Sequence, residues 1–251
     1  MIVIPFVRRH QEIIKKIGPI NEKKLWINTF IFSLFILLGT SIYLFFQRGQ
    51  FNANMINNSI ANASMILIGL SFALSGLCYF WDFVDSKIIY RKYLGLIGFA
   101  FALAHIFLAF FIFSEKFPYP QWYLSNIWSV ITALIAILIF TMMAFISNKY
   151  AIHELGGLNW RRLLRVGYIA YVFVIIHITL LSYPWWVRWL TTFNTILPPL
   201  SLIIVLFALF VIVLRIALLI AIEKHKKIMN IQSNKQNISL NKKQNTKIKK
   251  I

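Results

Sequence analysis

A chain of 251 residues that is 59% hydrophobic and only 13% charged lacks the polar surface of a soluble domain and reads as an integral membrane protein. Its formal charge of +19 invites a nucleic-acid reading, but 22 of the 26 Lys and Arg fall on one side of the apolar runs, so the basicity is an orientation signal and no nucleic-acid partner is expected. Cys78 stands alone, which excludes disulfide relays, CxxC chemistry and cysteine-held iron–sulfur clusters.

Residues 1–24 form a basic segment whose Ile and Phe positions suit a short interfacial helix meeting membrane lipid. Six runs then reach the roughly 20 apolar residues that a bilayer core requires: Leu25–Phe46, Ala63–Val84, Tyr93–Phe113, Ile127–Ser147, Val166–Pro184 and Leu197–Ile222. The first is too long for a signal-peptide core and lacks a small-residue cleavage site, so it is expected to remain. The prediction is an all-α integral membrane protein, a six-transmembrane-helix bundle over residues 25–222. Both termini lie on the cation-rich, cytoplasmic side (N-in/C-in). Residues 223–251 make a Lys-, Asn- and Gln-rich tail too polar to bury a core, which predicts disorder. The connections on the opposite side carry Trp122, Trp128, Trp185, Trp186 and Trp189, as either an interfacial belt or a partial cover over a pocket. No internal repeat is apparent.

An ionisable residue inside a span is a functional candidate. All seven acids fall in loops or at span ends, which leaves His105, His177 and Arg215. His105 follows the last cation before its span, Lys92, by 13 residues, and His177 follows Arg165 by 12. Both spans run in the same direction, so the two imidazoles reach nearly the same depth, ~18–20 Å from the inner boundary. That is the geometry of a bis-histidine haem clamp. Gly95, Gly98, Ala102 and Ala109 share the His105 face at helical spacing and offer a flat surface to a macrocycle, with Phe101, Phe107, Phe173 and Tyr171 as walls. The same small residues equally make a helix-packing motif that needs no cofactor. Arg215 either snorkels to the boundary or meets a haem propionate.

The stretch "YRKYLGLIGFAFALAHIFLAFF" resembles the third span of the ferric-reductase-like transmembrane family, particularly its bacterial MsrQ/YedZ branch. "LGGLNWRRLLRVGYIAYVFVIIH" is similar to that branch's approach to span five, with Leu155, Gly156, Trp160, Tyr168 and His177 in matching order. The resemblance implies one b-type haem held by His105 and His177, electron transfer across a bacterial inner membrane, and a separate quinol or flavoprotein donor. It also implies a redox partner protein at the outer face. The branch usually carries a second histidine where this chain has Leu164, and two-haem members carry one where Arg91 or Lys92 stands, so a second haem is not expected. The competing expectation is a haem-free transporter or assembly factor that uses the histidines for packing or protons.

Overall fold

The structure is a computed structural model that describes residues 21–113, 115–193 and 195–248, and of 149, 158, 161 and 233–248 the backbone only. The expected N-terminal interfacial helix therefore lies outside the described residues, apart from 21–24. Two compact units divide the chain, Met1–Ile212 and Val213–Ile251.

Every element among the described residues is helical. In chain order they are α1 (Glu22–Arg48), α2 (Ala53–Phe80), a 3-10 helix (Asp82–Tyr90), α3 (Arg91–Phe107) continued by a π-helical turn (Leu108–Ile112), α4 (Gln121–Ser125), α5 (Ile127–Ile146), α6 (Lys149–Arg165), α7 (Gly167–Thr192) and α8 (Leu200–Ile248). Six helical stretches are long and apolar enough to cross a membrane, and they coincide with the six expected runs. Their outward faces are apolar, as lipid requires, with Phe35, Leu138 and Phe145 among the most exposed side chains.

Three boundaries differ from expectation, each for a local reason. α2 begins ten residues before Ala63, because Asn52 caps it by accepting from the Met55 amide at 2.9 Å and the helix then carries Asn54, Asn57, Asn58 and Ser59 inside it. α7 runs through Pro184 to Thr192, as membrane helices tolerate where neighbours compensate the lost hydrogen bond. The tail, expected to be disordered, has a helical backbone through Ile248. No Pro or Gly interrupts residues 200–248, and Lys and Gln are good helix formers. In α6, Gly156 adopts φ 69° and ψ 145°, so this helix is two pieces joined at a bend that favours glycine.

Two antiparallel pairs frame the first unit. α2 meets α3 along a polar seam of heptad spacing. Asn57 faces His105, the Ser64 hydroxyl donates to the Gly98 carbonyl at 2.7 Å, and the Ser71 hydroxyl donates to the Arg91 carbonyl at 2.7 Å. Such seams suit a bilayer, where hydrogen bonds and close backbone approach replace the hydrophobic effect between helices. α5 and α7 make the second pair, with Ser129 beside His177 and Met143 beside Gly167.

Candidate histidine site

His105 and His177 sit near the same end of these two pairs, toward the starts of α2 and α5 and away from the starts of α3 and α7. Each ring is largely enclosed by protein yet keeps part of its surface accessible, and the two are close enough to interact through charge. Equal depth on two parallel helices was legible in the residue count; the convergence of the rings is a property of the tertiary structure.

The hydrogen bonds are the informative feature. His105 Nδ1 lies 2.8 Å from Asn57 Oδ1, and His177 Nδ1 lies 2.9 Å from the Ser129 carbonyl and 2.8 Å from its hydroxyl. A carbonyl oxygen only accepts, so the proton on His177 belongs on Nδ1; with its side-chain oxygen turned to the ring, Asn57 supports the same tautomer for His105. Among the described residues no hydrogen bond reaches Nε2 of either ring. An imidazole that donates through Nδ1 and leaves the Nε2 lone pair free is oriented as metal-ligating histidines are. No group of three or more His, Cys, Asp and Glu gathers among the described residues. Two nitrogen donors alone suit an iron whose other four ligands come with a macrocycle, so the donor set fits a bis-histidine haem.

Asn57 and Ser129, both essentially buried at 1% and 2% exposure, were not singled out by the sequence. The signal that finds them is a shared spacing. Asn57 precedes His105 by 48 residues, and Ser129 precedes His177 by 48. A second contact recurs at the same offset of 72 residues, with Gly95 beside Ser71 and Gly167 beside Met143. Six positions of 95–108 recur identically in 167–180, namely Gly95, Ile97, Phe101, His105, Ile106 and Leu108. His105 and His177 thus hold corresponding positions on α3 and α7.

The small-residue stripe is used differently from the macrocycle-facing surface expected of it. A Cβ at Gly98 would lie 2.8 Å from Ile68 Cγ1 and 3.0 Å from the Ile68 backbone nitrogen, so Gly98 serves the close approach of α2 and α3, not an open face. Ala102, one turn before His105, and Ala109 are partly buried. Ala109 falls in the π-helical turn, where i→i+5 bonding shifts it out of the α-helical register with His105 that was expected. Of the expected walls, Tyr171 is fully buried, donates to the Met65 carbonyl at 3.1 Å and packs edge-on to Phe72. Phe101 packs beside the Leu67–Leu74–Leu94–Ile97 cluster, and Phe107 is exposed and pairs with Phe111. Phe173 stays partly buried on α7, one turn from His177. Arg215 belongs to the second unit, and its propionate role rests on the sequence alone.

Comparison with family models and with curated proteins found no match.

Proposed function

We propose that this protein binds one b-type haem through His105 and His177 and transfers electrons within a membrane, as a ferric-reductase-like subunit. One observation carries the reading: two imidazoles at the same end of the helices each hold an oxygen at Nδ1 and leave Nε2 without a protein partner among the described residues. A haem-free packing role gives no reason for both Nε2 atoms to stay clear of every protein group among the described residues. A bis-histidine haem supplies one-electron chemistry with no open coordination position.

In this reading all six apolar helices cross the membrane with both termini on the cation-rich, cytoplasmic side, and the histidines lie toward the outer face of a bacterial inner membrane. The donor is a separate quinol or flavoprotein. The acceptor is a redox partner protein docking among the outer aromatic side chains, where Trp185, Tyr119 and Phe193 are well exposed. A single haem agrees with the packing of the other half. The space that side chains at Gly69 and Gly167 would fill is taken by Tyr171 and Phe207 at the first and by Met143 and Phe72 at the second.

Expressed in a haem-replete host, the purified chain is expected to show b-type Soret and α bands that shift on dithionite reduction. Absence of haem, or spectra unchanged in both His105→Ala and His177→Ala, would overturn the proposal.

A further inference from the structure

The start of α2 carries four asparagines, and the side-chain oxygens of three are accounted for. Asn52 caps the helix by accepting from the Met55 amide at 2.9 Å. Asn58, with its oxygen turned toward α1, accepts from the Arg48 guanidinium at 3.0 and 3.1 Å. Asn57 turns its oxygen to His105 Nδ1 at 2.8 Å. Two enclosed atoms are left over. They are Asn57 Nδ2, a donor, and Asn54 Oδ1, an acceptor, each without a hydrogen-bond partner among the described residues. Asn57 is only 1% exposed, so its spare donor lies deep in the helix seam.

Asn54 and Asn57 stand three positions apart within α2, which puts them on one helix face with their Cβ atoms about 5–6 Å apart. An orphan donor one turn from an orphan acceptor is a complementary pair, yet the two do not bond each other. Each left alone in a low-dielectric interior costs free energy. A small molecule that has both a lone pair and an O–H satisfies the two at once. Water is the smallest of these, and buried waters hold such places in proteins, where roughly two to four polar partners fix them.

We propose that one ordered water bridges Asn57 Nδ2 and Asn54 Oδ1, accepting from the first and donating to the second, and that Asn54 is thereby a positioning residue for His105. The contacts run from Asn54 through the water and Asn57 to the imidazole. With Nδ2 engaged, the Asn57 amide keeps its oxygen on His105 Nδ1, the ring proton stays there, and the Nε2 lone pair stays available. An amide released from the bridge can turn over, because its oxygen and nitrogen have nearly the same shape, and then presents an N–H to Nδ1. The water site rests on protein atoms alone and does not need the haem reading.

The test is solid-state NMR of the full-length protein in lipid bilayers, with asparagine and histidine labelled with nitrogen-15 and with dithionite present so that any low-spin haem iron is diamagnetic. Polarisation transfer from water to the Asn57 side-chain amide is expected in the wild type, together with a His105 Nδ1 proton shifted downfield by its hydrogen bond. In Asn54→Leu the water transfer is expected to disappear and the His105 Nδ1 proton to move upfield, with the His177 ring unchanged. Asn54→Ser keeps an oxygen acceptor on the same turn and is expected to restore both signals. Absence of water transfer to Asn57 in the wild type overturns the site, whether or not any variant folds. Transfer that persists in Asn54→Leu overturns the assignment to Asn54, and equal movement of both histidine rings, or of neither, overturns its positioning role. Each of these failures leaves the haem reading standing, and a protein that binds no haem leaves the water site to be judged on the same signals.

Discussion

The two ends of the same helical pairs are built on opposite rules. At the histidine end, α2 and α5 present Asn57 and Ser129, and among the described residues the rings of His105 and His177 are hydrogen-bonded through Nδ1 alone. At the other end Phe72 stacks on Tyr168 with centroids 4.6 Å apart and meets Phe140 and Tyr171, and the hydroxyls of Tyr168 and Tyr171 are spent on the Phe72 and Met65 carbonyls. A close-packed interior with its polar groups satisfied stabilises the fold, whereas unmatched donors and free lone pairs cost stability unless a ligand completes them. The difference separates the part of the bundle that holds the helices together from the part proposed to hold a cofactor.

Several substitutions test that division. The largest effect is expected from His105→Ala or His177→Ala, each abolishing the low-spin haem spectrum while leaving helix content by circular dichroism unchanged; loss of both signals together would instead make the histidines structural. Next is Gly98→Ala, where the added methyl meets the Ile68 backbone and should lower stability by about 1–3 kcal/mol in a denaturant titration. Gly39→Ala is its control, because a Cβ there meets nothing within 4 Å.

The two supporting residues should not respond alike, although each holds Nδ1 of its histidine. Asn57→Leu removes the side chain that holds His105 Nδ1 among the described residues and is expected to weaken haem binding about 10–100-fold. Ser129→Ala keeps the backbone carbonyl at 2.9 Å from His177 Nδ1, so its loss should be clearly smaller. Haem titrations in which Ser129→Ala does more damage than Asn57→Leu would contradict the tautomer assignment. Smaller still, Tyr171→Phe should cost about 1 kcal/mol of stability and leave any haem spectrum untouched, since its hydroxyl serves only the packed end.

The smallest expected effect is a pH dependence. The folded protein depresses the Lys116 pKa, so the unfolded chain binds the proton more tightly. Lys116 therefore contributes a slope in which stability rises with pH, between the depressed folded value and the ordinary lysine value. Arg48→Gln should flatten that slope and Lys116→Met should remove it, both read from thermal unfolding at alkaline pH. A slope of opposite sign would mean that an anion already neutralises the pair.

The residues of the sequence are unevenly legible. The six apolar runs, the cation asymmetry and the shared depth of His105 and His177 depend on local length and on the helical rise per residue, which chain order alone conveys. The boundary at α2 was misplaced because Asn54, Asn57 and Asn58 look like a loop, when Asn52 caps the helix and the α2–α3 seam absorbs Asn57. The small-residue stripe was legible as a stripe, but not in purpose, since Gly98 serves either a cofactor face or a helix contact until Ile68 is seen against it. The 72-residue offset is written in six identical positions of α3 and α7, but the supporting residues Asn57 and Ser129 differ in type, so only their contacts reveal the correspondence.

By itself, then, the sequence determined that this is a membrane protein with six apolar helical runs and two histidines at one level, because span length and depth are local, additive properties of a helix. Only the tertiary structure decided that the two rings come near each other and which nitrogen each leaves free. Those facts depend on the rotation and register of helices whose contacting residues lie 48 or more positions apart, and no local periodicity sets them.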